Sequence, residues 1–220
     1  MKILTKKTPI NTAIKVMLLI ILGLFAVLMM RISYPYLVPP FPTNIDFLAT
    51  KQDVLHIKPW KIAFYIHISS SFLVILAGLT QFSNTILRKY PKTHRNIGKL
   101  YVAVILFVSG PSGLLMAFYA NGGILGQIAF TTLSILWITF TYLAYHYIRN
   151  GNIFKHGKWM FRSFALSLSA VTLRLLMFLI GILPFYVDFE IVYVINGWLS
   201  WTLNLGITEI LIRKGILIDS

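Results

Sequence analysis

Six long apolar runs divide this chain, roughly over residues 14–30, 61–87, 100–119, 124–148, 163–183 and 191–212, with short basic clusters between them. About 20 apolar residues cross the ~30 Å hydrocarbon core of a bilayer as an α-helix. A spanning segment must also satisfy its own backbone hydrogen bonds, which leaves helices as the form for runs of this length. The pattern predicts an all-α, polytopic membrane bundle of about six transmembrane helices, with residues 1–220 as one transmembrane domain. With 57% hydrophobic and 12% charged residues, a chain of 220 residues lacks the polar surface of a water-soluble domain.

The charges orient the spans. Lys2, Lys6, Lys7 and Lys15 precede or enter the first run, and Arg88, Lys89, Lys92, Arg95 and Lys99 separate the second from the third. Arg149, Lys155, Lys158 and Arg162 separate the fourth from the fifth, and Arg213 and Lys214 follow the sixth. With six spans all four clusters fall on one side, while Asp46, Asp53, Asp188 and Glu190 fall on the other. Basic residues mark the cytoplasmic side, so both termini are expected there, in a cell membrane of the bacterial cytoplasmic type. The same rule accounts for the net charge of +14 without a nucleic-acid partner; the partner implied is the lipid bilayer. The first run has the basic flank of a signal peptide, but Met29-Met30-Arg31 offers no small-residue cleavage site, so a retained anchor is expected.

Residues 31–60 form the one long connection, with Pro35, Pro39, Pro40 and Pro42 among Tyr34, Tyr36, Phe41 and Trp60, and are expected to lie on or over the outer face. Gly122-Gly123 reads as a short outer turn, and Ser109-Gly110-Pro111-Ser112-Gly113 as a kink and close-packing point. There are no cysteines, which excludes disulfides, thiolate catalysis and cysteine-held metal centres. No nucleophile elbow, phosphate loop or H-E-x-x-H motif occurs, so nothing marks a soluble-type enzyme.

Polar residues within spans should turn inward, away from lipid. Three runs carry such stripes at helical spacing: His67, Ser71, Val74, Gly78, Gln81 and Thr85; then Gln127, Thr131, Ser134, Ile138, Thr141 and Tyr145; then Ser163, Ser167, Ala170, Arg174, Met177 and Gly181. Small and hydroxylated residues let membrane helices approach closely, which explains most of these positions. His67 and Arg174 are different, because an ionisable group inside a span is costly and points to function. At 1.5 Å per residue they lie about 9 and about 15 Å from the outer ends of their spans, near enough for Arg174 to hydrogen-bond a neutral His67. At the inner rim stand His94, Arg95, His146, His156, Trp159 and Arg162, with Glu209 and, about 7.5 Å deeper, Asn204 in the last span. Three histidines on one face suit a haem iron or a divalent metal.

The segments His94-Arg95-Asn96-Ile97-Gly98-Lys99-Leu100-Tyr101, His156-Gly157-Lys158-Trp159-Met160-Phe161-Arg162-Ser163 and Ala170-Val171-Thr172-Leu173-Arg174 resemble a family of multi-pass bacterial membrane proteins known as domain-of-unknown-function 2306. The resemblance extends to His67 and Gln81-Phe82, and to Trp198, Trp201, Asn204 and Glu209, covering most of the chain from the second run onward. It implies that His67, Gln81, His94, Arg95, His156, Trp159, Arg162, Arg174, Asn204 and Glu209 occupy family motif positions, and leaves His146 outside them.

The first functional reading is a b-type haem held between helices, serving electron transfer or quinol oxidation. In it His94 and His156, at matched depth, ligate the iron, and Arg95 and Arg162 face the propionates. His67 would be a separate outer position, with Arg174 and Glu209 handling charge and protons and a quinone or redox protein as partner. The alternative is a metal-free carrier of a small molecule, lipid or quinone, with Arg174, Gln81, Trp159, Asn204 and Glu209 lining its cavity, or a structural subunit of a membrane complex.

Overall fold

The computed structural model describes residues 12–182, 184 and 188–216, which form helices joined by short connections, with no strand among them. In chain order these are α1 (Thr12–Leu37), α2 (Asp46–Ala49), α3 (Lys58–Gln81), α4 (Asn84–Lys89), α5 (Pro91–Val104), a π-turn (Ile105–Ser109), α6 (Gly110–Ala117), α7 (Gly123–Arg149), α8 (Ile153–Ser167), α9 (Ser169–Gly181) and α10 (Phe189–Arg213). Four helical stretches are long and apolar enough to cross a membrane: Lys58–Gln81, Pro91–Ala117, Gly123–Arg149 and Ile153–Gly181. The apolar stretch Gly23–Leu37 of α1 is shorter. In α10, Asn196, Ser200, Thr202, Asn204, Thr208 and Glu209 dilute the hydropathy. Lys2, Lys6 and Lys7 and the end of the fifth run at Leu183 lie outside the described residues, as does the Thr85 side chain.

Helix ends depart from the apolar runs where local chemistry intervenes. The second run stops at Gln81 rather than continuing to residue 87, because the Ser83 hydroxyl accepts the Ile86 N–H and starts α4. The third helix begins at Pro91, within the basic segment, since proline suits a first helical turn and lysine and arginine are compatible with a helix. The fifth begins at Ile153, where the Asn152 side chain accepts the Lys155 N–H at 2.9 Å. It is then interrupted at Leu168, flanked by Ser167 and Ser169, whose hydroxyls turn back onto the carbonyls of Ser163 and Leu166 and so loosen the helical ladder. Gly122, at φ +81°, supplies the left-handed residue that starts α7, and a side chain there would collide with Val194.

Two packed groups make up the bundle. One has α3 at its centre, against α1, α5 and α6; the other joins α7 tightly to α8, with α10 lying against α7, α8 and α9. They meet around a hydroxyl cluster. The Tyr101 hydroxyl on α5 lies 2.9 Å from Ser163 Oγ and 3.0 Å from Ser167 Oγ, both on α8. From α7, Thr141 Oγ1 reaches Ser163 at 2.7 Å and Trp137 Nε1 donates to Ser167 at 2.9 Å. Val74, Ala77, Ile105, Ala144, Met160, Phe164 and Leu166 pack around it.

The connection is shorter than the expected residues 31–60, since α1 runs to Leu37 and α3 begins at Lys58; residues 41–57, including α2, fold against the adjoining helix ends. Leu48 and Val54 join Tyr36, Trp60 and Phe64 in a buried cluster, and the Phe47 N–H donates to the Tyr36 hydroxyl at 3.1 Å. Lys51, only 3% exposed, donates to the Tyr119 carbonyl at the end of α6. Burial pushes its ammonium pKa down, and the nearby charges of Asp53 and Glu190 oppose that shift.

Without the Tyr101 hydroxyl, Ser163 keeps Thr141 and Ser167 keeps Trp137, so removing it should weaken the bundle without collapsing it. Tyr101→Phe is expected to cost about 1 kcal/mol, read by reversible unfolding in detergent. A cost above roughly 3 kcal/mol would mean the cluster acts as one indivisible unit.

Candidate functional site

The polar residues that the hydroxyl cluster does not absorb collect in two places, one around His67 and Arg174 and one at the end of the bundle that carries His94 and His156. His67 on α3 defines the first. Its Nδ1 lies 2.9 Å from the Ser109 carbonyl, and because a carbonyl only accepts, Nδ1 carries the proton. The approach is close: a side chain on Gly113 would sit 2.9 Å from His67 Cε1. The π-turn delivers this geometry, and the Ser70 and Ser109 hydroxyls meet 2.7 Å apart beside it. The segment 109–113 is a close-packing point, and the irregular turn lies mostly before it, at Ile105–Ser109, rather than within it.

Arg174 on α9 does not hydrogen-bond His67, contrary to the direct pairing expected from their depths. Its Nη1 donates to the Ala170 carbonyl of its own helix at 3.1 Å. Its charge nonetheless acts on His67 and on the hydroxyls of Tyr36 from α1 and Tyr193 from α10. The Arg174 side chain is exposed and His67 is half-buried. One turn from Arg174, Val171 packs with Ala26, Met29 and Ile75, and the α2 segment is tied to α1 by the Phe47 N–H donating to the Tyr36 hydroxyl.

At the end of the bundle that carries the basic clusters, His94 on α5 lies within electrostatic range of His156 on α8. His156 Nδ1 donates to the Ala144 carbonyl at 2.8 Å, which leaves Nε2 as its bare nitrogen. His94 Nδ1 is buried with no hydrogen-bond partner. His146 is not part of this pair: it is exposed and bonds Asn150 at 2.9 Å. Among the described residues no group of three or more His, Cys, Asp or Glu is placed to hold a metal ion, so the three-histidine grouping read from the sequence does not form.

Arg95 is exposed beside His94. Arg162 is committed elsewhere: it grips Glu209 of α10 through Nε and Nη2, the latter at 3.0 Å, and its guanidinium stacks on Trp159 at 4.5 Å. Asn204 is likewise occupied, accepting from Thr172 Oγ1 at 3.0 Å and donating to the Ala165 carbonyl at 3.2 Å. Gln81 is buried at the contact of α3 with α5, where a side chain on Gly98 would meet its Oε1 at 2.9 Å. Of the four cavity positions expected at this end, Asn204 ties α10 to α8 and α9, Glu209 ties α10 to α8, and Trp159 packs on Phe140 of α7 beside Arg162.

Helices with this apolar content, interior polar groups and a basic rim define an integral membrane protein. The family described as Predicted membrane protein (DUF2306) matches residues 64–212, and the chain belongs to it. Comparison with curated proteins and with solved structures finds no match.

Tyr193 and Trp137 escaped the sequence reading, which weighed charged and small residues above aromatic ones; it placed Tyr36 only in the long connection and Tyr101 only at the end of a motif. Tyr101 carried a signal, standing two turns from His94 on the face that meets Ser163. The Arg162–Glu209 pair can be checked directly. In a double-mutant cycle with Arg162→Met and Glu209→Gln, the pair is expected to show a coupling of roughly 1–2 kcal/mol in detergent unfolding. A coupling near zero would mean Trp159 alone holds Arg162.

Proposed function

We propose that this protein crosses the membrane six times with both termini in the cytoplasm, and that its outer recess binds a small, membrane-soluble molecule through an oxygen-bearing head. The observation that carries the binding reading is Arg174. An arginine within the bilayer needs a counter-charge, a polar ligand or water. Among the described residues its one hydrogen bond is to its own helix, and the one ion pair is Arg162–Glu209. The free guanidinium donors therefore suit an anionic or carbonyl oxygen, and the apolar floor at Val171 and Met29 suits the adjoining tail.

The topology rests on the basic clusters at the ends of α4, α5, α7, α8 and α10, set against Asp46, Asp53, Asp188 and Glu190. It makes α1 and α10 spans beside the four longer, more apolar stretches. Labelling single cysteines placed at Asn150 and Gln52 in intact cells tests it: an impermeant maleimide should reach position 52 and not position 150. The reverse pattern, or labelling at both, overturns it.

A second reading, haem b at the inner rim, is favoured by the orientation of His156. Histidines that hold metals commonly donate the other ring nitrogen to a carbonyl, as His156 does to Ala144, and the orphaned His94 stands beside it. Arg162 would not serve the propionates, since Glu209 holds it; Arg95 would. A haem there would supply one-electron transfer. The bundle interior two turns above these histidines is filled by Tyr101 and Ser163, which confines such a group to the rim.

One preparation tests both readings. Protein purified from haem-replete cells is expected to bind a long-chain oxygen-headed amphiphile, with affinity falling at least tenfold in Arg174→Gln, measured by ligand-induced change in thermal stability. An unchanged affinity rejects the recess. A sharp reduced-state α band lost in His156→Ala supports the haem; a spectrum without a Soret band at full protein concentration rejects it.

A further inference from the structure

The proton on His67 decides what the recess prefers. Nδ1 donates to the Ser109 carbonyl, so in the neutral ring Nε2 is a bare lone pair, and among the described residues no group donates to it. A lone pair in a low-dielectric site favours a ligand that brings its own O–H or N–H. Arg174, within electrostatic range on the neighbouring wall, asks for the opposite, an acceptor. Tyr193 stands beside it with Phe130 and Phe189 at ring distances of 5.4 and 5.7 Å, an aromatic wall for a flat head.

Resting on the recess reading above, we propose that the outer recess is a hydroquinone site, in which one ring hydroxyl donates to His67 Nε2 and a second oxygen accepts from Arg174. The oxidised quinone has two acceptors and no donor, so it satisfies Arg174 and leaves the His67 lone pair unmet. The site therefore discriminates between the two redox forms of one molecule. Discrimination by a single buried hydrogen bond, with its partner left unpaired in the wrong ligand, amounts to at least a tenfold difference in affinity. Fixing the Nδ1 proton is the work of the π-turn, which brings the Ser109 carbonyl and the side-chain-free Gly113 against the ring.

The test uses the full chain in nanodiscs, held anaerobic, with a short-tailed benzoquinol, its quinone, its monomethyl and dimethyl ethers, and a long-chain carboxylic acid as probes. The quinol is expected to bind at least tenfold tighter than the quinone and the dimethyl ether, and His67→Ala should reduce that preference to within about twofold. The monomethyl ether keeps one hydroxyl and should bind like the quinol; because it needs no variant, this arm stands even if His67→Ala fails to fold. Equal binding of quinol and quinone overturns the hydroquinone assignment and leaves the recess reading intact. So does a carboxylic acid that binds in a His67-dependent way while the quinol does not, which would move the same donor–acceptor chemistry to a fatty acid. If none of the probes binds, or Arg174→Gln changes no affinity, the recess reading itself fails with the assignment.

Discussion

Ser163 is fully buried, and its hydroxyl stands within hydrogen-bond distance of both Tyr101 and Thr141, so that one atom joins α5, α7 and α8. Hydrocarbon offers no water to a hydroxyl that loses its partner, and each such group must find another inside the protein. Much of the bundle's interior follows from that requirement. Trp137 reaches Ser167, Thr141 also turns back to its own helix at the Trp137 carbonyl, and Ser70 meets Ser109. The apolar side chains of α3, α5, α7 and α8 fill the remaining space around these bonds.

Against that background of satisfied groups, the few unsatisfied ones carry information. His67 Nε2, the remaining donors of Arg174 and the buried His94 Nδ1 lie on residues that the sequence reading singled out; the Trp60 and Trp201 indole nitrogens and Asn196 Oδ1 are also buried without a partner. Arg162, Glu209, Asn204 and Gln81 were singled out as well, yet they are used up in holding helices together. The sequence reading therefore mixes two kinds of residue in this protein. The hydrogen-bond inventory separates them.

The helical, membrane-type architecture was legible in the apolar runs, because the length of a run and the thickness of a bilayer are matched by physics rather than by detail. The run at 124–148 corresponds closely to α7, and Gly122 makes the expected turn. Starts and stops were less legible. Capping by Ser83 and Asn152, and prolines at first turns, act over single residues and leave the average hydropathy almost unchanged. The three-histidine rim was misread because His146 and His156 are separated by a hairpin whose direction depends on Gly151, at φ +74°, and no periodicity argument crosses such a turn. Arg174 and His67 were singled out by burial cost, but whether they touch depends on rotamers and on Ser109, a backbone partner that no side-chain pattern reveals.

The π-turn at Ile105–Ser109 has the character of a phase shifter. A helix advances about 100° for each residue, and a π-turn admits roughly one extra residue without unwinding the rod. Upstream of it the rod presents Tyr101 to α8; downstream it presents Ser109 and Gly113 to His67 on α3. A single ideal helix could not aim both faces this way, since the second would arrive rotated by about a quarter turn or more. The centre of the bundle and the histidine in its outer half are thus set to one another like two cams on a shaft, and the angle between them is fixed by how many residues the chain spends in that one loosened coil.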